Sequence, residues 1–208
     1  MNLGILIVLI TFLGYIANWI NWKFLNYIFV RLLYLIGAFI HELSHALFCL
    51  LVGARIIEFK IFSRQPKVVY IEPRLKYIGR PLISLAPIIG GLLFLFLINN
   101  YWLKESFDIF QISDYKDIFS SPLALLAQIN LLNWQSWVIL LLFLNVGAMI
   151  GPSVQDLKNI WPFLIIFFFI ESTVFDNLLF LALGLILMNI LIQVIFIVII
   201  KVIKLLKY

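Results

Sequence analysis

Two histidines and a glutamate stand together in the run His41-Glu42-Leu43-Ser44-His45, and these are the only two histidines in the chain. On a helix, residues four apart lie on one face, one turn from each other, so both imidazoles can reach the same zinc ion. Glu42 follows the first histidine, which places its carboxylate beside the metal, where it can take a proton from water. The pattern predicts a zinc site with His41 and His45 as ligands and Glu42 as the general base.

The alternative interpretation of this run is two core histidines and a glutamate that neighbouring helices satisfy. It is weakened because the run lies within the apolar stretch of residues 27–52. Three ionisable groups inside a membrane span are costly and usually mark function. A zinc ion would offset part of that cost by coordinating both imidazoles.

The composition of the chain is that of a membrane protein. Of its 208 residues, 64% are apolar and only 12% are charged, whereas about a quarter of an ordinary soluble domain is charged. A soluble protein of 24 kDa has a core too small to hide so many apolar side chains from water. Cys49 is the only cysteine, which excludes a disulfide scaffold. The fifteen Lys and Arg are scattered between apolar runs, which argues against a nucleic-acid partner.

Six apolar segments are candidates for membrane spans, although two of them are short for the roughly 20 residues that a helix needs to cross. They are residues 3–20, 27–52, 82–98, 137–150, 160–174 and 178–200. The first lacks a basic leader and a cleavage site, so we expect it to be retained. A seventh segment, residues 122–132, is too short to span and predicts an interfacial or re-entrant helix.

The distribution of charge predicts the orientation of these spans. Basic residues are concentrated between the second and third spans and in the C-terminal tail, whereas the loop between the third and fourth spans is more acidic. Because basic loops stay on the cytoplasmic side, we predict a multi-pass protein of the cell membrane with both termini in the cytoplasm.

Residues 55–73 differ from the apolar spans and predict a β-hairpin at the cytoplasmic face. Residues 57–61 alternate between apolar and charged, residues 68–71 are rich in strand formers, and residues 63–66 have turn chemistry. The hairpin is either a connector with charged edges or an edge that pairs with an extended peptide. We therefore expect one domain over residues 1–208, an all-α polytopic membrane fold with this hairpin inserted.

A catalytic zinc needs three protein ligands, and the chain has no third histidine. Asp156 is the favoured candidate, because it follows the break at Gly151-Pro152 and lies near the cytoplasmic half of the membrane. Alternatively, Asp156 only begins the fifth span, where its charge suits a helix N-terminus. Cys49 is a weaker candidate that fits better as a small packing residue. Glu171 is also weaker, because it falls near the outer end of the fifth span.

An HExxH helix inside the membrane, followed by a strand hairpin and later by an Asp after a broken helix, resembles the site-2 protease family of intramembrane zinc metalloproteases. The similar segments are the motif at residues 41–47, the hairpin, residues 84–87 and residues 145–157. The resemblance implies that His41, His45 and Asp156 bind Zn²⁺, and that Glu42 is the base. It also implies that an edge strand aligns the substrate. The chain departs from the family pattern after Asp156, where no Gly follows, and in this it looks more like the divergent relatives.

Together these features predict a zinc metalloendopeptidase that hydrolyses a bond in or near a transmembrane segment of a membrane protein or peptide substrate. The alternative is a non-catalytic membrane scaffold or chaperone that retains a zinc site, an interpretation supported by the diverged segment around Asp156. A metal- or proton-coupled transporter is disfavoured, because the intramembrane acids are confined to one cluster and no chain of relay residues crosses the other spans.

Overall fold

The computed structural model describes residues 3–24, 34–61, 66–98, 132–167 and 173–206, with the single positions 101, 127 and 169. Within these ranges the chain forms six helices and one two-stranded antiparallel sheet. Their order is α1 (Leu3–Phe24), α2 (Leu35–Leu51), β1 (Arg55–Lys60), β2 (Lys67–Ile71), α3 (Lys76–Leu97), α4 (Trp134–Met149), α5 (Val154–Phe167) and α6 (Thr173–Leu205). The prediction of a mostly helical protein with one small hairpin is confirmed.

Two helical segments are long and apolar enough to cross a membrane, as judged from length and composition: Lys76–Leu97 and Leu179–Ile203. Three further apolar helices are shorter, namely Leu3–Ala17, Leu35–Leu51 and Trp134–Met149. Among the described residues, two segments thus meet the requirement for a span. The six-span arrangement and its orientation stay predictions.

Two helices begin earlier than the sequence predicts. Helix α3 begins at Lys76 rather than at residue 82, and its first cations, Lys76 and Arg80, both pair with Glu72. Helix α5 begins at Val154 rather than at residue 160, with Asp156 in its first turn. The predicted boundaries followed the apolar residues alone, whereas both helices begin earlier, in turns where Lys76, Arg80 and Asp156 have partners.

Several predicted features fall outside the described residues. The interfacial helix at residues 122–132 is described only at positions 127 and 132, and the predicted turn at residues 63–66 only at Pro66. Glu171 and the loop at residues 102–121 also lie outside, as do residues 27–33 of the second predicted span.

Helix α2 ends at a glycine turn that leads directly into the hairpin. Gly53 has a φ of 72°, a left-handed conformation that favours glycine because it lacks a Cβ. Its N–H donates to the carbonyl of Leu50 (3.2 Å), and the N–H of Ala54 donates to the carbonyl of Cys49 (2.8 Å). These two bonds form the Schellman motif, which satisfies the last carbonyls of the helix and reverses the chain.

The hairpin contains a bulge at Ile57. Ile56 lies opposite Tyr70 and Glu58 lies opposite Val69, so Ile57 is an extra residue on β1. A one-residue insertion changes which side chains share a face of the strand. The alternation at residues 57–61 therefore indicates a strand correctly but not its buried face, because Ile57 is 64% exposed.

The hairpin is attached to the helices by a small apolar cluster. Its buried members are Cys49, Ala54 and Ile83, and the partly buried residues packed against them are Phe48, Val52, Ile56, Val68 and Tyr70. At the strand pair, Glu58 forms ion pairs with Lys60 and with Lys67 (3.0 Å). These two ammonium groups hold the pKa of the Glu58 carboxyl below its usual range.

The main apolar core lies between α1, α3, α4 and α6, and its largest fully buried side chains include Leu6, Ile10, Leu95, Phe143 and Ile186. Helix α2 packs against both α3 and α4, and α5 packs against α3. Helix α2, which carries the two histidines, therefore packs against two helices, and α5 packs against one of these two.

Candidate metal centre

The structure brings His41, His45 and Asp156 together. The Nε2 atoms of His41 and His45 lie 3.2 Å apart, and the Oδ2 atom of Asp156 lies 3.5 Å from Nε2 of His45. One ligand atom from each of the three residues lies within 4.8 Å of the others. His45 and Asp156 are buried and His41 is partly buried, so the three donors form a compact group that is largely shielded from water.

A backbone carbonyl of α3 orients the ring of His45. Its Nδ1 atom lies 2.8 Å from the carbonyl oxygen of Ile83. In a regular helix that carbonyl would accept from the N–H four residues later, but this position is Pro87, which has no N–H. The proline inside α3 thus leaves an acceptor for His45.

The end of α4 orients the ring of His41 in the same way. Its Nδ1 atom lies 2.6 Å from the carbonyl oxygen of Met149, the last residue of α4. The last carbonyls of a helix have no donor within it, and Gly151-Pro152 follows before the next helix begins. The break predicted in the fourth span therefore supplies the partner for the first histidine.

These two contacts decide which ring nitrogens carry hydrogen. A carbonyl oxygen only accepts, so the Nδ1 atom of each imidazole is the donor and each neutral ring presents an Nε2 lone pair to the other. Two lone pairs and a carboxylate at this spacing repel each other unless a metal ion or a proton lies among them. This arrangement, with the far ring nitrogen held by a carbonyl, is the one that metal-binding histidines use.

Two of the three spacings between the donors match those around a tetrahedral metal ion. Zinc–nitrogen bonds of 2.0–2.1 Å place neighbouring ligand atoms about 3.3–3.4 Å apart in a tetrahedron. Two of the three observed separations, 3.2 Å and 3.5 Å, lie on either side of that value, and the third, between the donors of His41 and Asp156, is at most 4.8 Å. The residues present therefore fit a metal ion that is held by two imidazoles and one carboxylate.

Asp156 lies in the group of three donors and also caps α5. Its Oδ2 atom accepts hydrogen bonds from the N–H of Ser153 (2.9 Å) and from the Ser153 hydroxyl (2.6 Å). The N–H of Asp156 in turn donates to Oγ of Ser153 (3.2 Å). This reciprocal pair is a capping box, so the two interpretations of Asp156 from the sequence are compatible.

Ser153 and Asn159 are absent from the predicted site, although both help to hold Asp156. The pattern Ser-x-x-Asp before an apolar run predicts a capping box and would identify Ser153. Asn159, one turn after Asp156, donates from Nδ2 to Oγ of Ser84 (3.1 Å). This bond joins α5 to α3 beside the carbonyl of Ile83 that orients His45.

Glu42 is buried next to the three ligands. Its carboxylate accepts a hydrogen bond from the backbone of Val68 in β2, and it interacts electrostatically with His45 and Asp156. The predicted base therefore interacts with the hairpin as well as with the metal group.

The weaker candidates for a third ligand are not part of this group. Cys49 is fully buried in the apolar cluster beneath the hairpin, as expected for a packing residue, and Glu171 lies outside the described residues. Within the part of the chain that is described, the group of possible metal ligands consists of His41, His45 and Asp156.

The role of Pro87 is testable by Pro87→Ala. The substitution gives α3 an N–H that competes with His45 for the carbonyl of Ile83. Losing an outer partner of a metal-binding histidine costs about 10–100-fold in affinity. A carbonyl can accept two hydrogen bonds, so His45 should keep part of its contact with Ile83. We therefore expect metal affinity, measured by Zn²⁺ competition, to fall about tenfold, the lower end of that range. Pro81→Ala in the same helix is the control, and an equal loss of affinity in both variants would contradict this role of Pro87.

The chain matches no protein-family model, and neither a curated protein nor a solved structure matches it. No relative therefore contributes to the functional assignment. That assignment rests on the chemistry of His41, His45, Asp156 and Glu42.

Proposed function

We propose that the protein is an intramembrane zinc metalloprotease, of the kind found in the site-2 protease family, that hydrolyses a peptide bond in or near a transmembrane segment. The observation that carries this proposal is the convergence of the two Nε2 atoms with the Asp156 carboxylate, while both Nδ1 atoms donate to backbone carbonyls. Structural zinc sites are closed by four protein ligands, whereas catalytic sites have three and keep an open position. Three donors beside a glutamate favour the catalytic type.

Each residue of the group has a distinct role in this proposal. His41, His45 and Asp156 would hold a zinc ion, and when bound that ion would supply Lewis acidity toward the scissile carbonyl and water. Glu42 takes a proton from the attacking water and delivers it to the nitrogen of the leaving amine. The carbonyls of Ile83 and Met149 keep the Nδ1–H tautomers of the histidines, so that both Nε2 atoms remain available.

The hairpin provides the means of presenting the substrate. A transmembrane helix satisfies its own backbone groups, so a segment must unwind before a bond inside it can be cut, and its exposed backbone groups then need new partners. Strand addition to the hairpin supplies such partners. The contact between Val68 of β2 and Glu42 supports this role, because it places the hairpin beside the proposed base.

The proposal also includes the membrane. We infer six spans in the cell membrane, with both termini and the hairpin on the cytoplasmic side. Helix α6 supports this inference, because Val194, Val198 and Val202 are 47%, 53% and 47% exposed along one face. An extended apolar stripe is unfavourable in water but is ordinary against lipid. Buried Asn189 and Gln193 lie in the same helix and bond to α4 and to Tyr34, as polar residues between membrane helices do.

Metal removal tests this proposal. The protein purified in detergent is expected to hold about one zinc ion per chain and to cleave synthetic single-span peptides that carry a Gly-Pro pair in their apolar segment. Dialysis against a chelator should abolish cleavage, and added Zn²⁺ should restore it. The zinc content is measured by elemental mass spectrometry and the products by peptide mass spectrometry. Cleavage that continues after the zinc has been removed would contradict the metalloprotease assignment.

A further inference from the structure

Helices α2 and α4 are joined by two hydrogen bonds that are spaced like the rungs of a ladder. The N–H of Gly37 donates to Oδ1 of Asn145 (2.9 Å), and Nδ1 of His41 donates to the carbonyl of Met149 (2.6 Å). Both pairs are separated by 108 residues, so one turn along α2 corresponds to one turn along α4. The two helices therefore run in the same direction, and the first rung determines the register of the second.

The first rung, the hydrogen bond from Gly37 to Asn145, caps the N-terminus of α2 with a side chain of α4. Gly37 lies in the first turn of α2, where N–H groups have no acceptor within the helix. Tyr34, the residue directly before α2, makes no hydrogen bond from its side chain that would cap the helix. A cap residue normally accepts from the second or third N–H of its own helix, and here the buried side chain of Asn145 takes that place.

The absence of a side chain at Gly37 lets the two backbones touch. A Cβ atom at this position would collide with the carbonyl of Asn145 and would lie 3.0 Å from Cγ of Met149. Both of the residues that it would displace belong to the ladder. The close approach at Gly37 therefore serves the same contact as the side chain of Asn145.

We propose that Asn145 is a positioning residue of the metal centre, which acts by capping α2 from α4 and so aligns His41 with the carbonyl of Met149. This inference rests on the proposed function in one respect, because it takes the group of His41, His45 and Asp156 to be a metal site. Asn145 lies one turn before the end of α4, and the break that leads to Asp156 begins directly after that end. One side chain thus controls the register of the first histidine and the starting point of the segment that carries the aspartate.

The test compares metal affinity in Asn145→Leu and Asn145→Asp. Leucine has a similar size but no acceptor, so α2 loses its cap and His41 loses its register. Aspartate keeps an acceptor oxygen at the same position. With Co²⁺ as the probe, we expect the dissociation constant to rise about tenfold in Asn145→Leu, at the lower end of the effect of outer-shell residues. The tetrahedral visible absorption bands of the Co²⁺ form should change as well. Asn145→Asp should bind within about threefold of the wild type.

Asn189→Leu is the matched control. Asn189 is also buried, and it also bonds to α4, through the carbonyl of Leu144 (2.7 Å), but it belongs to neither rung. If both Asn145→Leu and Asn189→Leu weaken Co²⁺ binding equally in monodisperse protein, Asn145 has only a general structural role and the inference is overturned. A loss in Asn145→Asp as large as that in Asn145→Leu would overturn it too.

Gly37→Ala disturbs the ladder from the other helix and covers the case in which Asn145→Leu does not fold. We expect the same rise in the Co²⁺ dissociation constant, because the added methyl group pushes α4 away from α2. Unchanged binding in Gly37→Ala, with normal binding by the wild type, would reject the ladder and leave the protease assignment standing. A wild-type protein that binds no Co²⁺ or Zn²⁺ would instead reject the metal centre itself.

Discussion

Glu42→Gln is expected to abolish cleavage while the zinc content stays at the wild-type level. Glutamine has the same shape and keeps an oxygen that can accept the backbone hydrogen bond from Val68, so the site should retain its structure. It cannot take up a proton, however, and general acid–base catalysis contributes about 10²–10⁴-fold to a rate. We expect a loss of cleavage within that range, measured on single-span peptides in proteoliposomes, together with elemental analysis of zinc.

Glu72→Gln is the control for this variant. Glu72 lies after the last paired residue of β2, where its partners are Lys76 and Arg80 of α3, so the substitution removes a glutamate charge away from the metal group. Cleavage by Glu72→Gln should remain close to that of the wild type. If Glu42→Gln retained zinc and cut the peptides as fast as the wild type, the endopeptidase assignment would fail.

Mass spectrometry of new peptide termini extends the same comparison to natural substrates. Membranes from cells that express the wild type should contain termini within apolar segments that are missing from membranes with Glu42→Gln. Zinc-loaded wild-type protein that generated no such termini would support the non-catalytic scaffold or chaperone. This experiment therefore decides between the two functions that the sequence allows.

Asp156→Asn is expected to lower zinc affinity by more than about a hundredfold, because loss of an outer partner alone costs 10–100-fold and here a charged ligand becomes neutral. An asparagine side chain can still accept from the N–H of Ser153, so the start of α5 is retained. The affinity is measured by competition with a chromophoric chelator, and the stability of the fold by thermal unfolding of the metal-free protein.

Ser153→Ala separates the two roles of Asp156. This variant removes the hydroxyl that donates to Oδ2 (2.6 Å) but leaves all three donors of the metal group in place. We expect it to lose about 1 kcal/mol of helix stability, as for other N-cap substitutions, and to retain most of its zinc affinity. If Asp156→Asn also bound zinc as tightly as the wild type, Asp156 would be only a helix cap and the third ligand would have to be sought elsewhere.

Features that depend on a few neighbouring residues could be predicted from the sequence. The spacing of His41 and His45 places them on one face of any helix, and Gly53 ends that helix because it tolerates a positive φ. The hairpin also follows from short-range alternation and strand propensity. The mostly helical character could be predicted for the same reason, since an apolar run of sufficient length indicates a helix whatever lies beside it.

Features that depend on how the helices pack could not be predicted with the same certainty. Asp156 was one of several candidates for the third position, and only the packing of α5 against α3 places its carboxylate 3.5 Å from Nε2 of His45. The bulge at Ile57 likewise depends on how β1 pairs with β2, and alternation along one strand does not reveal an inserted residue.

The sequence by itself therefore determined which groups could do chemistry: two imidazoles one turn apart, a glutamate beside them and an apolar setting in which such groups are costly. The tertiary structure decided how those groups are held. The carbonyls that orient the rings belong to residues 38 and 108 positions away, and each is available because a proline or a helix end removes its usual donor. The sequence does not indicate which donor such a carbonyl will meet. Only the packing of α2 against α3 and α4 brings His45 to the carbonyl of Ile83 and His41 to the carbonyl of Met149.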